Sequence, residues 1–322
     1  MTMTPATHGA RLAAGIGNAL AAGLAWGLVF VAPVLLPDYP PTLLAFGRYL
    51  AFGLIAVPLA WRDRFALARL SRADWVEALK LAAVGNVLYY LSLSAAIQQA
   101  GVPLPTMIIG TLPVVIAVCS NLSRPELAWA RLAPSLALIA AGIGCVNLSE
   151  LRHLEESGAS RAGFALGAAL AVAALACWTW YPIRNARWMQ CNPQASPGTW
   201  ATAQGLATLP LAVAGMAGTL LWTGVTGTAG LPGPRPLEYA GLMLAIGLLA
   251  SWLGTRWWNR ASQLLPTSLV GQLIVFETLS ALAYGFLHRG DWPDAVTWAG
   301  IGLLVAGVVA GTRAFRPAAA PA

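Results

Sequence analysis

Residues 197–222 read PGTWATAQGLATLPLAVAGMAGTLLW, a stretch of 26 residues without a charged side chain. An α-helix rises ~1.5 Å per residue, so about 20 apolar residues are enough to cross the hydrocarbon core of a bilayer. The stretch is therefore predicted to span a membrane. The rest of the chain repeats this pattern.

Hydrophobic residues make up 58% of the 322 positions and charged residues only 10%. Soluble domains carry about 25% charged residues, so this chain has too little polar surface to be stable in water. Ten apolar stretches separated by turn-forming residues predict ten transmembrane helices. These predicted spans are 12–36, 40–60, 75–99, 103–121, 132–148, 161–183, 197–222, 237–260, 266–287 and 292–313.

The basic residues predict the orientation of these spans. With the N-terminus in the cytoplasm, 12 arginines flank the spans on the cytoplasmic side and four lie on the opposite side. Cytoplasmic loops of membrane proteins are enriched in Lys and Arg, so this arrangement is favoured over its reverse. We expect a multi-pass protein of a bacterial-type inner membrane with both termini in the cytoplasm.

The second half of the chain repeats the first. Four segments recur in the same order on matching spans: 15–27 with 167–179, 41–48 with 197–204, 96–98 with 261–263, and 141–144 with 299–302. A unit of five spans ends on the side opposite its start, so the second copy enters the membrane inverted. The sequence thus predicts an all-α fold of two inverted five-helix repeats, residues 1–150 and 151–322. Secondary transporters use this design and bind substrate between the halves.

A further set of features resembles the EamA-type drug/metabolite transporter superfamily. The features are a Trp early in span 1, the pair Pro41 and Arg48 opening span 2, an Ala-rich end of span 3, and Glu277 eleven residues after Pro266. The many Trp and Tyr residues within the spans are similar to those of the aromatic amino-acid exporters (YddG-type). This resemblance implies ten helices, cytoplasmic termini, and export of amino acids and related metabolites. Family members often have Glu-Pro in span 9, whereas Glu277 precedes Thr278, so we expect that the proline kink is lost.

Two charged residues lie deep within predicted spans, where each costs about 2.5–3.5 kcal/mol to insert. Arg48 is about eight residues into span 2, and Glu277 is about eleven residues into span 9. One interpretation is that both line an aqueous cavity, where Arg48 attracts a substrate carboxylate and Glu277 attracts an amine or a proton. The alternative is a structural ion pair or hydrogen bonds between helices.

Aromatic and amide side chains within the spans complete the candidate site. Flat rings with polar tips suit an amphipathic ligand, although such rings also face lipid or pack against other helices. Trp26 and Trp178 occupy equivalent places in the two repeats. The full set of cavity candidates is Trp26, Arg48, Asn86, Tyr89, Tyr90, Trp178, Trp180, Trp258, Gln272 and Glu277. Pro33 and Pro182, late in spans 1 and 6, are predicted to bend helices that close the gates.

These patterns favour an exporter of amino acids, aromatic and other apolar ones above all, that works by alternating access. The alternative is a drug or general metabolite exporter of the same fold. A sugar-phosphate carrier is disfavoured because no cluster of basic residues lies in the core. An enzyme is not expected, since no intramembrane nucleophile–base pair or metal set is present. We expect no cofactor, no metal and no nucleic-acid partner, and a monomer or homodimer in the bilayer that binds a small-molecule substrate.

Overall fold

The computed structural model describes residues 5–36, 38–100, 103–154, 161–226, 233–290 and 292–315. These residues form helices joined by short turns, and no β-strand occurs among them. In chain order the α-helices are α1 (Pro5–Gly27), α2 (Val31–Leu35), α3 (Pro41–Arg62), α4 (Arg64–Leu67), α5 (Arg72–Leu81), α6 (Tyr89–Ala100), α7 (Pro103–Ile109) and α8 (Leu112–Ser123). They continue with α9 (Trp129–Leu154), α10 (Arg161–Cys191), α11 (Pro197–Thr226), α12 (Pro236–Ile246), α13 (Gly254–Leu264), α14 (Thr267–Leu273), α15 (Val275–Arg289) and α16 (Ala295–Ala314).

Within the described ranges, nine helical stretches are long and apolar enough to cross a membrane. The helical class predicted from composition is thus confirmed, and the length and apolar character of these helices fit membrane spans. The exception is the fourth predicted span, 103–121, where the apolar helix Met107–Ser123 is shorter than the others.

This fourth predicted span is interrupted near its middle. Helix α7 ends at Ile109, and α8 begins at Leu112. The Thr111 hydroxyl donates to the Ile108 carbonyl at 2.7 Å, which satisfies an acceptor at the break. Pro113 lies in the first turn of α8, where its missing N–H leaves no acceptor unpaired. A hydropathy window averages over such a break and predicts one continuous helix.

The ninth predicted span is also interrupted, and the interruption does not involve a proline. Helix α14 ends at Leu273 and α15 begins at Val275, although Glu277 is not followed by proline. The Ile274 N–H donates to the Gly271 carbonyl, and the Glu277 N–H donates to the Ile274 carbonyl at 2.8 Å. Both bonds join residues three apart, a tighter turn than the α-helix allows. A shift to three-residue hydrogen bonds, rather than proline, interrupts this span.

Two stretches of π-helix lie inside otherwise α-helical spans. Residues Ala82–Leu88 join α5 to α6, and Gly247–Leu253 join α12 to α13. A π-helix inserts an extra residue into a turn and shifts the hydrogen-bond ladder, and such insertions are frequent at functional sites. The candidate residue Asn86 lies in the first of these segments.

Glycines allow neighbouring helices to approach closely. Helix α9 packs along α16, and a methyl group added at Gly142 would lie 2.9 Å from the Gly300 carbonyl oxygen. Helix α1 packs along α15, and a methyl group at Gly23 would lie 3.0 Å from the Glu277 backbone nitrogen. Small residues of this kind bring helix backbones together in membranes. The second contact brings Glu277 against the first helix.

Candidate functional site

Arg48 lies on α3, two turns after the helix opens at Pro41. Only 7% of the residue is exposed. Its Nε donates to the Ser251 hydroxyl at 3.0 Å, and its guanidinium carbon lies 5.0 Å from the Tyr49 ring centroid and 5.6 Å from that of Tyr90. The π-face of a ring attracts a cation, so two tyrosines and a hydroxyl stabilise the buried charge.

Glu277 lies in the first turn of α15, directly after the break at Ile274. It is also 7% exposed, and its Oε2 has no hydrogen-bond partner among the described residues. The N-terminal end of a helix stabilises a nearby negative charge. The Arg48 guanidinium and the Trp178 indole are close enough to act on this carboxyl group electrostatically. Arg48 forms no ion pair with this carboxyl group, and the Trp178 indole N–H lies near it without meeting the geometry of a hydrogen bond.

A cluster of aromatic rings surrounds these charges. Trp178 stacks on Tyr89 with ring centroids 4.7 Å apart and on Tyr181 at 5.0 Å. Trp26 meets the edge of Trp178 at 5.5 Å and packs against Trp258 at 5.1 Å. Two tyrosine rings already stack on Trp178, so its indole N–H edge is the part that remains for a ligand.

The indole groups differ in how their N–H groups are used. Trp26 donates to the Ala250 carbonyl at 2.9 Å, within the π-helical segment Gly247–Leu253. The N–H groups of Trp178 and Trp258 are buried and have no partner within the described ranges. An unsatisfied buried donor costs about 1–3 kcal/mol, so both groups gain free energy if a ligand acceptor or a water reaches them.

The π-helical segments attach to the helices that pack beside them. Asn86, in the segment Ala82–Leu88, donates to the Thr208 hydroxyl of α11 at 3.0 Å. Ser251, in the segment Gly247–Leu253, accepts from Arg48 of α3. Each segment therefore positions a polar side chain between its own span and a neighbouring one.

The cluster combines the Arg48 guanidinium, the Glu277 carboxyl group and the Trp178 indole N–H. Arg48 and Glu277 are not paired with each other, so the ion pair considered from sequence does not form, whereas the Arg48–Ser251 bond is a hydrogen bond between helices of the kind that the alternative named. A charge-assisted hydrogen bond is worth about 1.5–3 kcal/mol.

Comparison with known proteins identifies the family. The model of the EamA-like transporter family matches residues 13–148. The inner membrane protein YtfF of Escherichia coli (strain K12) is 50% identical over 307 residues, which cover 93% of this chain and 95% of that protein. The chain belongs to the EamA-like transporter family. A solved crystal structure that is 16% identical has a TM-score of 0.70 and covers 93% of this chain and 97% of that chain, so the two share a fold.

Two candidates of this EamA-like transporter lie away from the charged cluster. Trp180 is 36% exposed on the outer face of α10, because it is two residues from Trp178 and so points to a different side of the helix. Gln272 is fully buried, and its Oε1 accepts from Ser135 of α9 at 3.3 Å and lies against Gly311 of α16. We therefore remove both from the cluster. The remaining cavity candidates lie in or beside the cluster: Trp26, Arg48, Asn86, Tyr89, Tyr90, Trp178, Trp258 and Glu277.

The two gating candidates of the transporter, Pro33 and Pro182, lie in different helical settings. Helix α10 runs unbroken through Pro182, which lacks the N–H that would bond to the Trp178 carbonyl. The backbone of Pro33 lies in α2, after a 3₁₀ turn at Leu28–Phe30, whereas its side chain is outside the described part. Pro182 therefore lies inside a continuous helix, one turn after Trp178, whereas Pro33 lies in a short helix that follows a 3₁₀ turn.

The sequence did not single out every residue of the cluster. Tyr49 and Ser251 contact Arg48, but their spacing carried no signal that separates them from packing residues. Tyr181 was visible as part of the motif Trp178-Thr179-Trp180-Tyr181, and its position three residues after Trp178 predicts a shared helix face. The three-residue spacing thus favoured Tyr181 over Trp180.

Proposed function

We propose that this protein exports amino acids by alternating access, with aromatic and other apolar ones favoured. One observation carries the proposal: Arg48 and Glu277 are both buried, carry opposite charges and are not paired with each other. An α-amino acid supplies a carboxylate for the first and an ammonium group for the second. The surrounding rings provide the apolar walls that its side chain needs.

The inverted repeat is part of this proposal, and the positions of the π-helical segments support it. Aligning 96–98 with 261–263 requires an offset of 165 residues, and the same offset relates Ala82–Leu88 to Gly247–Leu253. The predicted spans that follow these segments are both interrupted, at Gly110–Thr111 and at Ile274. An unusual feature at the same offset in both halves is expected when both halves descend from one unit.

The packing of the helices supports the same symmetry. Helices α3 and α11, which lie in the equivalent predicted spans 2 and 7, pack against each other. Helices α9 and α16, in the equivalent spans 5 and 10, do so as well. The contact of α1 (span 1) with α13 (span 8) has an equivalent in the contact of α10 (span 6) with α6 (span 3). We propose that the halves rock against each other about the cluster, and that Pro33 and Pro182 bend the helices that close its two ends.

The orientation follows from the arginine distribution, with both termini on the cytoplasmic side of the inner membrane. In a bacterial host, a C-terminal green fluorescent protein fusion should fluoresce, and a C-terminal alkaline phosphatase fusion should be inactive. The reverse pattern would contradict a cytoplasmic C-terminus; with the N-terminus in the cytoplasm, it would also contradict an even number of spans and the two five-helix repeats.

Transport of labelled amino acids by proteoliposomes tests the function. The purified protein should carry apolar amino acids, and comparison with and without an imposed pH gradient shows whether protons are coupled to transport. Arg48→Gln and Glu277→Gln should each raise the KM about 10- to 100-fold, because each removes one charge-assisted bond. Arg64→Gln, which changes an exposed arginine, is the matched control and should leave the KM unchanged. The absence of amino-acid flux by folded protein would refute the proposal.

A drug or general metabolite exporter is the second candidate, and the density of aromatic rings around the cluster favours it. Such a ligand needs apolar walls but not both charged ends. If planar organic cations were transported and amino acids were not, Glu277→Gln should abolish transport while Arg48→Gln should have little effect. The two variants therefore distinguish the candidates.

A further inference from the structure

A network of buried amides lies behind the aromatic cluster, between α10, α11 and α13. The Tyr181 hydroxyl donates to Gln204 Oε1 at 2.9 Å, and Gln204 Nε2 donates to Asn185 Oδ1 at 3.1 Å. Asn185 Nδ2 donates to Asn259 Oδ1 at 2.8 Å, and Asn259 Nδ2 donates to the Pro197 carbonyl. Every side chain of the network is almost completely buried.

One member of the network fixes the direction of all the others. The Trp200 indole donates to Asn185 Oδ1 at 2.9 Å, and an indole N–H can only donate. The Asn185 oxygen must therefore face Trp200, which makes Gln204 present its NH₂ to Asn185 and its oxygen to Tyr181. The Tyr181 hydroxyl is thus bound as a donor to Gln204, with a single arrangement available.

This tether acts on the ring that carries the free indole N–H. The planes of Tyr181 and Trp178 are 1° apart, and Gln204 holds the far end of the Tyr181 ring. The Trp178 N–H lies near the Glu277 carboxyl group, although no acceptor meets the geometry of a hydrogen bond to it. If Tyr181 tilts, Trp178 has no fixed surface on that side, and its N–H loses its orientation toward the carboxyl group.

We propose that Gln204 is a positioning residue for the substrate site, acting through Tyr181 on Trp178. The inference rests on the proposed function, since it assumes that a ligand binds beside Glu277. It assigns different roles to equivalent positions of the two halves, because the repeat aligns Gln204 with Arg48. Arg48 contacts the substrate, whereas Gln204 orients a ring that does so.

The first test does not require a substrate. Protein labelled with 5-fluorotryptophan is studied by ¹⁹F NMR, and the resonance of Trp178 is identified by its absence in Trp178→Phe. Gln204→Met and the milder Tyr181→Phe should each shift or broaden this resonance. Thr219→Val, which removes a buried hydroxyl of α11 that bonds to its own helix, should leave it unchanged. An unchanged resonance in both network variants overturns the inference.

The second test uses transport. Both network variants should raise the KM for an apolar amino acid about 5- to 30-fold while the maximal rate per folded molecule stays within about twofold. The double variant should have no greater effect than the larger single one, because both act through one bond. A lower yield of folded protein with an unchanged KM would show a structural role only. If the Trp178 resonance shifts but the wild-type protein carries no amino acid, the proposed function fails while the positioning role stands.

Discussion

The contact between α1 and α15 allows one substitution to test both packing and function. In Gly23→Ala, the added methyl group would lie 2.8 Å from the Phe276 Cβ and 3.0 Å from the Glu277 backbone nitrogen. Ordinary contacts of such a carbon begin at 3.4 Å, so α15 must move by about 0.4–0.6 Å. Glu277 moves with it, since the clash is with its own backbone.

The expected loss of stability follows from two opposing effects. Overpacking costs about 1–3 kcal/mol, whereas alanine in a helix interior is favoured over glycine by about 0.5–1 kcal/mol. Gly23→Ala should therefore lower the free energy of unfolding by about 0.5–2 kcal/mol. Gly17→Ala on the same helix is the matched control, because a methyl group there has no neighbour within 4 Å, and it should be neutral or stabilising.

Unfolding by sodium dodecyl sulfate in mixed micelles measures this difference, and proteoliposome uptake measures its effect on function. A displaced Glu277 should lose about 1 kcal/mol of ligand binding, which corresponds to a rise in the KM of about fivefold. The reasoning is refuted if Gly23→Ala unfolds at the same detergent fraction as Gly17→Ala. A lower stability with an unchanged KM would separate the packing of α15 from substrate binding.

Three other predictions use matched pairs of variants. Trp178→Phe removes the free indole N–H and should raise the KM of uptake about 5- to 10-fold, whereas Trp180→Phe, at an exposed position, should leave it unchanged. Gly142→Ala and Gly300→Ala, at equivalent positions of the repeat, should each destabilise the α9–α16 pair by about 1–2 kcal/mol in the same unfolding assay. Gly144→Ala and Gly302→Ala are the controls and should not destabilise it, because a methyl group at either position has no neighbour within 4 Å. Glu126 accepts three hydrogen bonds, from the Thr267 and Ser268 N–H groups and from the Ser268 hydroxyl. Glu126→Ala should therefore lower the free energy of unfolding by about 1–2 kcal/mol in a thermal unfolding experiment. Glu238→Ala breaks only an exposed ion pair and should lower it by less than 1 kcal/mol.

The fold class could be predicted because it depends on quantities that accumulate over many residues. Hydropathy averaged over about 20 positions identifies spans. The interruptions at Thr111 and Ile274 depend instead on single hydrogen bonds between residues three apart, which no average reports. The π-helical segments were missed for the same reason.

Two of the predicted site residues, Trp180 and Gln272, lie away from the cluster for a common reason. Arg48 and Glu277 could be found because a charge in hydrocarbon is costly wherever it lies, so its presence needs a reason. For aromatic and amide residues the cost depends on which side of the helix they occupy. Trp180 and Gln272 resemble the residues of the cluster in size or polarity, but they lie on other helix faces. Trp180 is exposed on the outer face of α10, and Gln272 contacts α9 and α16.

The two halves of the proposed repeat differ where the substrate would bind, and symmetry explains why. Two identical halves related by a two-fold axis would present each side chain twice, so a central site would have two equal ends. An amino acid has unlike ends. Arg48 corresponds to Gln204, and the first half has Leu112 in the place of Glu277, so each half contributes one charge that the other lacks. In the proposed mechanism, the repeat supplies the scaffold that rocks, while its substitutions supply the polarity that orients a zwitterion.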